Sequence, residues 1–349
     1  MTRANNNPLK CLIWDLDCTI WDGILSESDN IRLKNAAKNL IITLDNRGIL
    51  NAIVSRNNFQ KAKEKLEEYG LWEYFVCPQI GWEDKHLYVH EIIQQLNLAP
   101  TAFGYIDDQP FERELVHHHF PEIRIFNENQ LQDIADAEYA QPKFITNETC
   151  KRRIFYQLEE KRKSYVKEFH KDQMEFLRAL NLKCTISPAS IDDLKRAEEL
   201  TIRTHQLNST GFTYSYDDLL ALIYSTHHEL YVAKLSDKFG EYGTIGLLLL
   251  EKAKAAMNLK LLIVSCRVLS RNVGQVLMQF VIKRAQDEHL QLMADFIEND
   301  FNRKMYISYK FSGFDELEKN GNHIILQYEG PAIADYPDYI EVIENGQYK

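Results

Sequence analysis

Two domains of different construction are predicted, a parallel-sheet α/β domain followed by an α+β domain. From Cys11 to Phe126 short apolar runs alternate with amphipathic stretches, the pattern of strands joined through crossover helices. From Ile191 the order changes to a helix followed by strands close enough in sequence to pair as neighbours. The chain of 349 residues also exceeds one typical domain. Boundaries are expected at 1–145, 146–187 and 188–349, the middle segment being a basic helical linker.

The first strand is Cys11-Leu12-Ile13-Trp14, continuous rather than alternating, and therefore buried on both faces. Helical spacing runs from Ala36 to Arg47 and stops at Gly48; Ile49 to Val54 is a strand. Phe59 to Tyr69 is an amphipathic helix stopped by Gly70, and Phe75-Val76 is a short strand. Lys85 to Leu96 is a helix, with strands at Phe103 to Ile106 and Arg124 to Phe126. In the second half, Asp192 to Thr204 is helical, and Leu230 to Leu235 pairs with Thr244 to Glu251. Lys260 to Leu269 is a long strand, Ser270 to Met278 a turn opening into a helix, Leu292 to Phe296 a strand, and Asn302 to Tyr309 a short helix.

Composition excludes several classes. Hydrophobic residues at 45% and aromatics at 11% suffice for packed cores. A net charge of -10 disfavours nucleic-acid binding. No apolar run approaches the ~20 residues of a membrane span, and the polar N-terminus lacks a secretion signal's apolar core. Six cysteines without CxxC spacing fit neither zinc nor a disulfide framework, so a reducing cytoplasm is expected.

Chemistry gathers at strand ends. Asp15 and Asp17 follow the first strand, Ser55 the second, and Asp107-Asp108 follow Tyr105-Ile106, while Lys85 opens a helix. On a parallel sheet these ends share one edge, where ligands bind. Two aspartates at the mouth of a buried strand are costly unless a cation or proton is shared; the plain alternative is a surface turn with two solvated acids. The set fits phosphoryl transfer. Asp15 would be the carboxylate nucleophile and Asp17 the acid and base. Asp107 or Asp108, with Asp15, would hold Mg²⁺, and Ser55 and Lys85 would bind phosphate oxygens. Little chain lies between Gly23 and Ala36, so a large cap domain is not expected there.

Lys151, Arg152, Arg153, Lys161, Arg162, Lys163, Lys167 and Lys171 dominate a helix-like run with Phe155, Leu158, Tyr165 and Phe169 as its apolar members. Such a run is either a solvated linker or a docking surface for an acidic partner. Further on, Arg203 to Thr210 is too rich in amides and hydroxyls to be core, and the turn around Arg271 and Gly274 can present backbone N–H groups to phosphate.

The order DxDxT, Ser, Lys, DD resembles the haloacid dehalogenase-like (HAD-like) phosphotransferases, and the second half resembles the GNAT-type acyltransferases. DLDCTIWDG, SRNN, PQIGWEDK, YIDDQPFER, LTIRTHQLNSTG, SCRVLSRNVG and FNRKMYISYKFSGF together resemble the FkbH-like family from about Cys11 to about Tyr328, especially the glyceryl transferases of tetronate pathways. That resemblance implies a HAD-like domain followed by a GNAT-like domain. It implies Mg²⁺ at Asp15, Asp17, Asp107 and Asp108, and phosphate at Thr19, Ser55, Arg56 and Lys85. Arg203, His205, Gln206, Asn208, Arg267, Arg271, Val273, Gly274 and Asn302 would surround the acyl group and its pantetheine. The implied substrates are 1,3-bisphosphoglycerate and the phosphopantetheine thiol of an acyl carrier protein. A thiol of the chain itself is a candidate intermediate carrier, and Cys266 is preferred to Cys18, whose neighbours are carboxylates. Two positions depart from the family pattern: Cys18, where Asn or Asp is expected, and Asn272, where Gly is common.

Overall fold

The computed structural model describes residues 7–28, 31–167, 173–332 and 335–346. The chain forms two compact units, Met1–Glu159 and Glu160–Lys349.

In the first unit the elements are β1 (Cys11–Trp14), a short pair β2 (Trp21–Asp22) and β3 (Arg32–Leu33), α1 (Asn35–Asn46), β4 (Leu50–Arg56), α2 (Phe59–Glu68), β5 (Phe75–Gly81), α3 (Lys85–Leu96), β6 (Phe103–Ile106), α4 (Pro110–His119), β7 (Arg124–Phe126), α5 (Leu131–Asp136) and α6 (Asn147–Cys150). Helix α7 (Arg152–Val166) follows, and the division between units falls inside it. The sheet order is β5-β4-β1-β6-β7, and every pairing in it is parallel. β1 is central: the order in which strands are added reverses about it, with β4 on one flank and β6 on the other, which opens a crevice at its carboxyl end.

Both faces of β1 are covered, which is why its sequence is continuously apolar. Leu12 and Trp14 join Leu40, Ile41 and Leu44 of α1 and Ile134 of α5, whereas Cys11 and Ile13 join Val89 and Ile92 of α3 and Val116 of α4. Gly48 ends α1 as expected: its φ is +67°, and a Cβ there would lie 2.5 Å from the carbonyl oxygen of Thr149.

The second unit contains α8 (Gln173–Ala179), β8 (Leu182–Pro188), α9 (Leu194–Arg203), α10 (Tyr216–Ile223), β9 (His228–Asp237), β10 (Gly240–Lys252), β11 (Ala256–Val264), α11 (Val273–Asp287), β12 (Gln291–Ile297), α12 (Arg303–Phe311), β13 (Phe314–Asn320), β14 (His323–Tyr328) and β15 (Ile340–Glu344). Its sheet runs β13-β14-β12-β11-β10-β9-β8-β15, mostly antiparallel, with parallel pairing at β11/β12 and β8/β15. α11 and α12 cover one face, α9 and α10 the other. The fold class is therefore the expected one, a parallel-sheet α/β domain followed by an α+β domain. Two details differ. Strand β8 precedes α9, so the second unit starts before residue 188. The strand expected to reach Leu269 ends at Val264, and a 3₁₀ turn, Cys266–Arg271, replaces its tail. β11 and β12 pair only over Ala256–Leu259 and then diverge.

The basic run is not the open surface its composition suggests. Arg152 donates to the Gly48 carbonyl, and Arg153 grips Asp45 at 2.9 Å. Within the second unit Arg162, 1% exposed, holds Asp237 through two hydrogen bonds of 2.7 and 2.9 Å. Phe169 and Lys171 lie outside the described residues, as do residues 1–6.

Candidate functional site

Four strand ends of the first unit converge as the sequence order requires. The Lys85 ammonium, at the first residue of α3, donates to Asp15 Oδ1 at 2.8 Å and to Asp107 Oδ2 at 2.7 Å; all three side chains are buried. Tyr105, two residues before Asp107 on the same face of β6, donates its hydroxyl to the Asp107 carboxylate. Asp15, Asp107 and Asp108 each offer an oxygen within 4.8 Å of the others. Asp108 Oδ1 is buried without a hydrogen-bond partner. Three carboxylates thus face a single ammonium, and a hard cation fits the remaining oxygen donors.

Electrostatics follow the burial. Burial, with Asp107 adding to it, pushes Asp15 up to about 7 against the opposing pull of Lys85. Burial and Asp107 likewise raise Asp108. Burial works against the Lys85 ammonium, but Asp15 and Asp107 outweigh it, and its pKa is raised. The lysine is a fixed positive charge at neutral pH.

Asp17 does not join the converging carboxylates. Its Oδ1 accepts from Trp21 Nε1 at 2.8 Å and from the Leu25 amide at 3.1 Å, and its Oδ2 from Asn57 Nδ2 at 3.0 Å. Those donors position a single carboxylate beside the crevice, which suits proton transfer better than metal ligation. Thr19 is fully buried, and its Oγ1 accepts from the Asp108 amide at 3.1 Å, fixing the loop that carries two of the carboxylates. Ser55 is buried and accepts from Asn57 Nδ2 at 3.1 Å. Arg56 is already paired, with Asp84 at 2.8 Å and Glu112 at 3.1 Å, so a phosphate would have to displace two carboxylates.

Sequence reasoning passed over Asn57, Tyr105 and Arg113. Asn57 ties Ser55 to Asp17, and Arg113 donates to the carbonyls of Asp107 and Asp108 at 2.7 and 2.8 Å. For Tyr105 a signal existed: a polar tip at an inward strand position, two residues from Asp107.

In the second unit a cleft of about 640 Å³ lies along α11 and α12. Leu207, Val264, Val268 and Leu269 form apolar wall, and Asn272, Gly274, Gln275 and Gln279 bring the start of α11 to it. Beside it, the residues 207–209 fill the opening between the diverging strands. The Ser209 amide donates to Leu262 O at 3.0 Å, Leu262 N donates to Ser209 Oγ at 3.0 Å, Val264 N donates to Leu207 O at 2.9 Å, and Ile297 N donates to Ser209 O at 3.0 Å. The chain's own backbone therefore satisfies the β11 edge.

Of the residues expected around pantetheine, Gly274 lines the cleft. Asn208 and Asn302 are fully buried and act as braces. Asn208 Oδ1 accepts from the amides of Thr210 and Gly211, and Asn302 Nδ2 donates to Asn208 O and Ile297 O. Val273 is core. Arg271 is 4% exposed and donates to Tyr242 Oη at 3.0 Å and Ser270 Oγ at 2.6 Å. Arg203 pairs with Glu199 at 3.2 Å; His205 and Gln206 are exposed; Arg267 is half-buried beside Ser265. Cys266 is exposed at the start of the turn rather than buried in the strand, because the strand ends two residues earlier. Desolvation by neighbouring atoms still raises its thiol, with Lys304 pulling the other way.

The two departures from the family pattern share one property. Cys18 has φ +55° and Asn272 φ +53°, both in the left-handed region. Asn tolerates that region and Cys does so at some cost, so Asn272 replaces Gly with less strain than Cys18 brings.

No family model matches the chain, and no curated protein matches it. Among solved structures it is similar to the N-terminal part of the protein BF1531 from Bacteroides fragilis, containing a phosphatase domain complexed with Mg, at 29% identity and TM-score 0.35, over 40% of this chain and 41% of that one. The match thus spans about two-fifths of the length of that N-terminal part. It is also similar to the PaiA N-acetyltransferase of Thermoplasma acidophilum in complex with coenzyme A (17% identity, 42% of this chain, 98% of that one, TM-score 0.35). A third similarity is to the ribosomal-protein-S18-alanine N-acetyltransferase of Escherichia coli (15% identity, 42% of this chain, 92% of that one, TM-score 0.33).

Proposed function

We propose that the chain is a Mg²⁺-dependent phosphatase joined to an acyltransferase, which dephosphorylates 1,3-bisphosphoglycerate and loads the glyceryl unit onto the phosphopantetheine thiol of an acyl carrier protein. The observation that carries this reading is the Asp15–Lys85–Asp107 arrangement, with Asp108 beside it, at the carboxyl edge of a parallel sheet. A cation bound by Asp15, Asp107 and Asp108 would neutralise charge on the transferring phosphoryl group. The carboxylate of Asp15 attacks phosphorus, and the bond to the 3-oxygen of the substrate breaks. Asp17, held by Trp21, Leu25 and Asn57, gives that oxygen a proton, then takes one from the water that releases phosphate from Asp15. Lys85 opposes the effect of burial on the nucleophile, favouring its ionised form, and contacts phosphate oxygen.

In the acyl half, the carrier thiolate attacks the C1 carbonyl, and the C1–O bond to the second phosphate breaks. Cys266, exposed at the start of the turn, is the candidate for an intermediate on the chain, and a glyceryl adduct on it in the absence of carrier would replace direct transfer with two steps. Intact-mass measurement of candidate holo carriers incubated with the protein, Mg²⁺ and 1,3-bisphosphoglycerate tests the whole reading. A glyceryl adduct that requires the phosphopantetheine supports it. Acetyl transfer from coenzyme A to a small amine, with no carrier adduct, would replace it with a phosphatase fused to an ordinary acetyltransferase.

A further inference from the structure

The cleft of the second unit has an uneven chemical inventory. Its walls are mainly apolar, Phe311 at its rim is 89% exposed, and Lys304 of α12 is the one charged residue among those lining it. Among the described residues Lys304 has no carboxylate partner, and its side chain is exposed in the cleft that the Cys266–Arg271 turn also lines. The arginine of that turn does not contribute: Arg271 is buried and committed to Tyr242 and Ser270. Along the wall, Gln279 Oε1 is buried with no partner, an acceptor suited to the N–H of a ligand amide. An extended amide-bearing chain with one negative charge at its outer end matches this inventory. A nucleotide-bearing chain with several phosphates would meet a single cation.

We propose that Lys304 is the anion contact of this cleft and that it selects an amide arm ending in a single phosphate over the same arm extended to coenzyme A. The inference rests on the acyltransferase reading of the cleft and adds the residue that sets its ligand class. The Lys304 side chain is exposed, and its replacement keeps the bond that Ser308 Oγ donates to the Lys304 carbonyl, so the fold stays intact.

The test is calorimetric titration of the full chain with pantetheine, 4′-phosphopantetheine and coenzyme A. For the wild type, 4′-phosphopantetheine binds roughly fivefold tighter than pantetheine, the strength of an exposed ion pair, and coenzyme A binds no tighter than 4′-phosphopantetheine. Lys304→Gln removes that fivefold preference and leaves pantetheine affinity unchanged; Lys304→Glu inverts the preference. Discrimination that survives in Lys304→Gln would overturn the role of Lys304 alone. So would coenzyme A binding more than about tenfold tighter than 4′-phosphopantetheine. Failure of all three ligands to bind would overturn the acyltransferase reading of the cleft as well.

Discussion

The crevice of the first unit and the cleft of the second solve opposite electrostatic problems. At the crevice, buried charges crowd together: Asp15, Asp107 and Lys85 are 3%, 0% and 3% exposed, and the one ammonium bonds both carboxylates. At the cleft, polar groups are braced away in internal hydrogen bonds, and one exposed lysine faces apolar wall. Coupled buried charges make single substitutions severe, whereas an isolated exposed charge changes selectivity by small factors. The contrast ranks the expected effects of perturbation.

The largest effect belongs to Asp15, the proposed nucleophile. Asp15→Asn is nearly isosteric and keeps a hydrogen-bond acceptor for Lys85, so the unit should fold. Phosphate release should fall about a thousandfold or more, measured as phosphate liberated per turnover. Activity within tenfold of wild type would remove Asp15 from the chemistry and, with it, the basis for treating the crevice as catalytic.

Removing the lysine tests the coupling itself. Lys85→Met leaves Asp15 and Asp107 buried without their shared cation, which should cost about 3–5 kcal/mol in denaturant unfolding without divalent metal. Adding Mg²⁺ should restore much of that loss, since the cation supplies the missing positive charge. A loss of the same size with and without Mg²⁺ would mean that the carboxylates do not form a cation site.

The pH dependence of cation binding is next in size. Asp15 is raised from its ordinary range to about 7, chiefly by burial. A raised carboxyl binds its proton more tightly in the folded chain than in the unfolded one. Its contribution to metal-free stability is therefore present at low pH and lost as pH rises from about 4 through about 7. Cation binding competes with that proton. Mg²⁺ affinity should be about tenfold weaker at pH ~6 than above pH ~7, with proton release on binding below pH 7. Calorimetry in two buffers of different ionisation enthalpy reads both quantities. PH-independent affinity would indicate that Asp15 stays ionised throughout.

The same contrast explains what was legible in the sequence. In the first unit, function follows contiguous strand-end residues, and strand order alone brings Asp15, Ser55, Lys85 and Asp107 to one edge. What stayed hidden there were second-layer partners such as Asn57, Arg113 and Tyr105, whose roles arise only once loops from distant positions meet. In the second unit, the working feature is the divergence of β11 from β12 beyond Leu259, filled by the residues 207–209. No residue type marks a strand edge satisfied by backbone from elsewhere in the chain. Amides in LTIRTHQLNSTG therefore read as ligand contacts, although Asn208 is a brace. Likewise Arg271 resembles a phosphate ligand in sequence, while Tyr242, 29 positions away, holds it inside.

The smallest effect concerns the basic run. If the lysines and arginines around 151–167 steered an acidic carrier, loading would weaken steeply with salt, because exposed charges are screened over about 10 Å at 0.1 M. Several of those charges are spent internally: Arg152 and Arg153 bind groups of the first unit, Arg162 is buried on Asp237, and Lys163 pairs with Glu160 at 2.7 Å. The remaining exposed lysines of α7 and its end, Lys161 and Lys167, give a modest field. The loading rate of a holo carrier should then change by no more than about threefold between about 50 and 200 mM salt. Replacing both lysines by Gln should flatten what dependence exists and leave phosphate release untouched. A tenfold or larger salt effect that survives the double replacement would place the steering charges elsewhere, and Lys304, exposed in the cleft lining, would be the first to substitute.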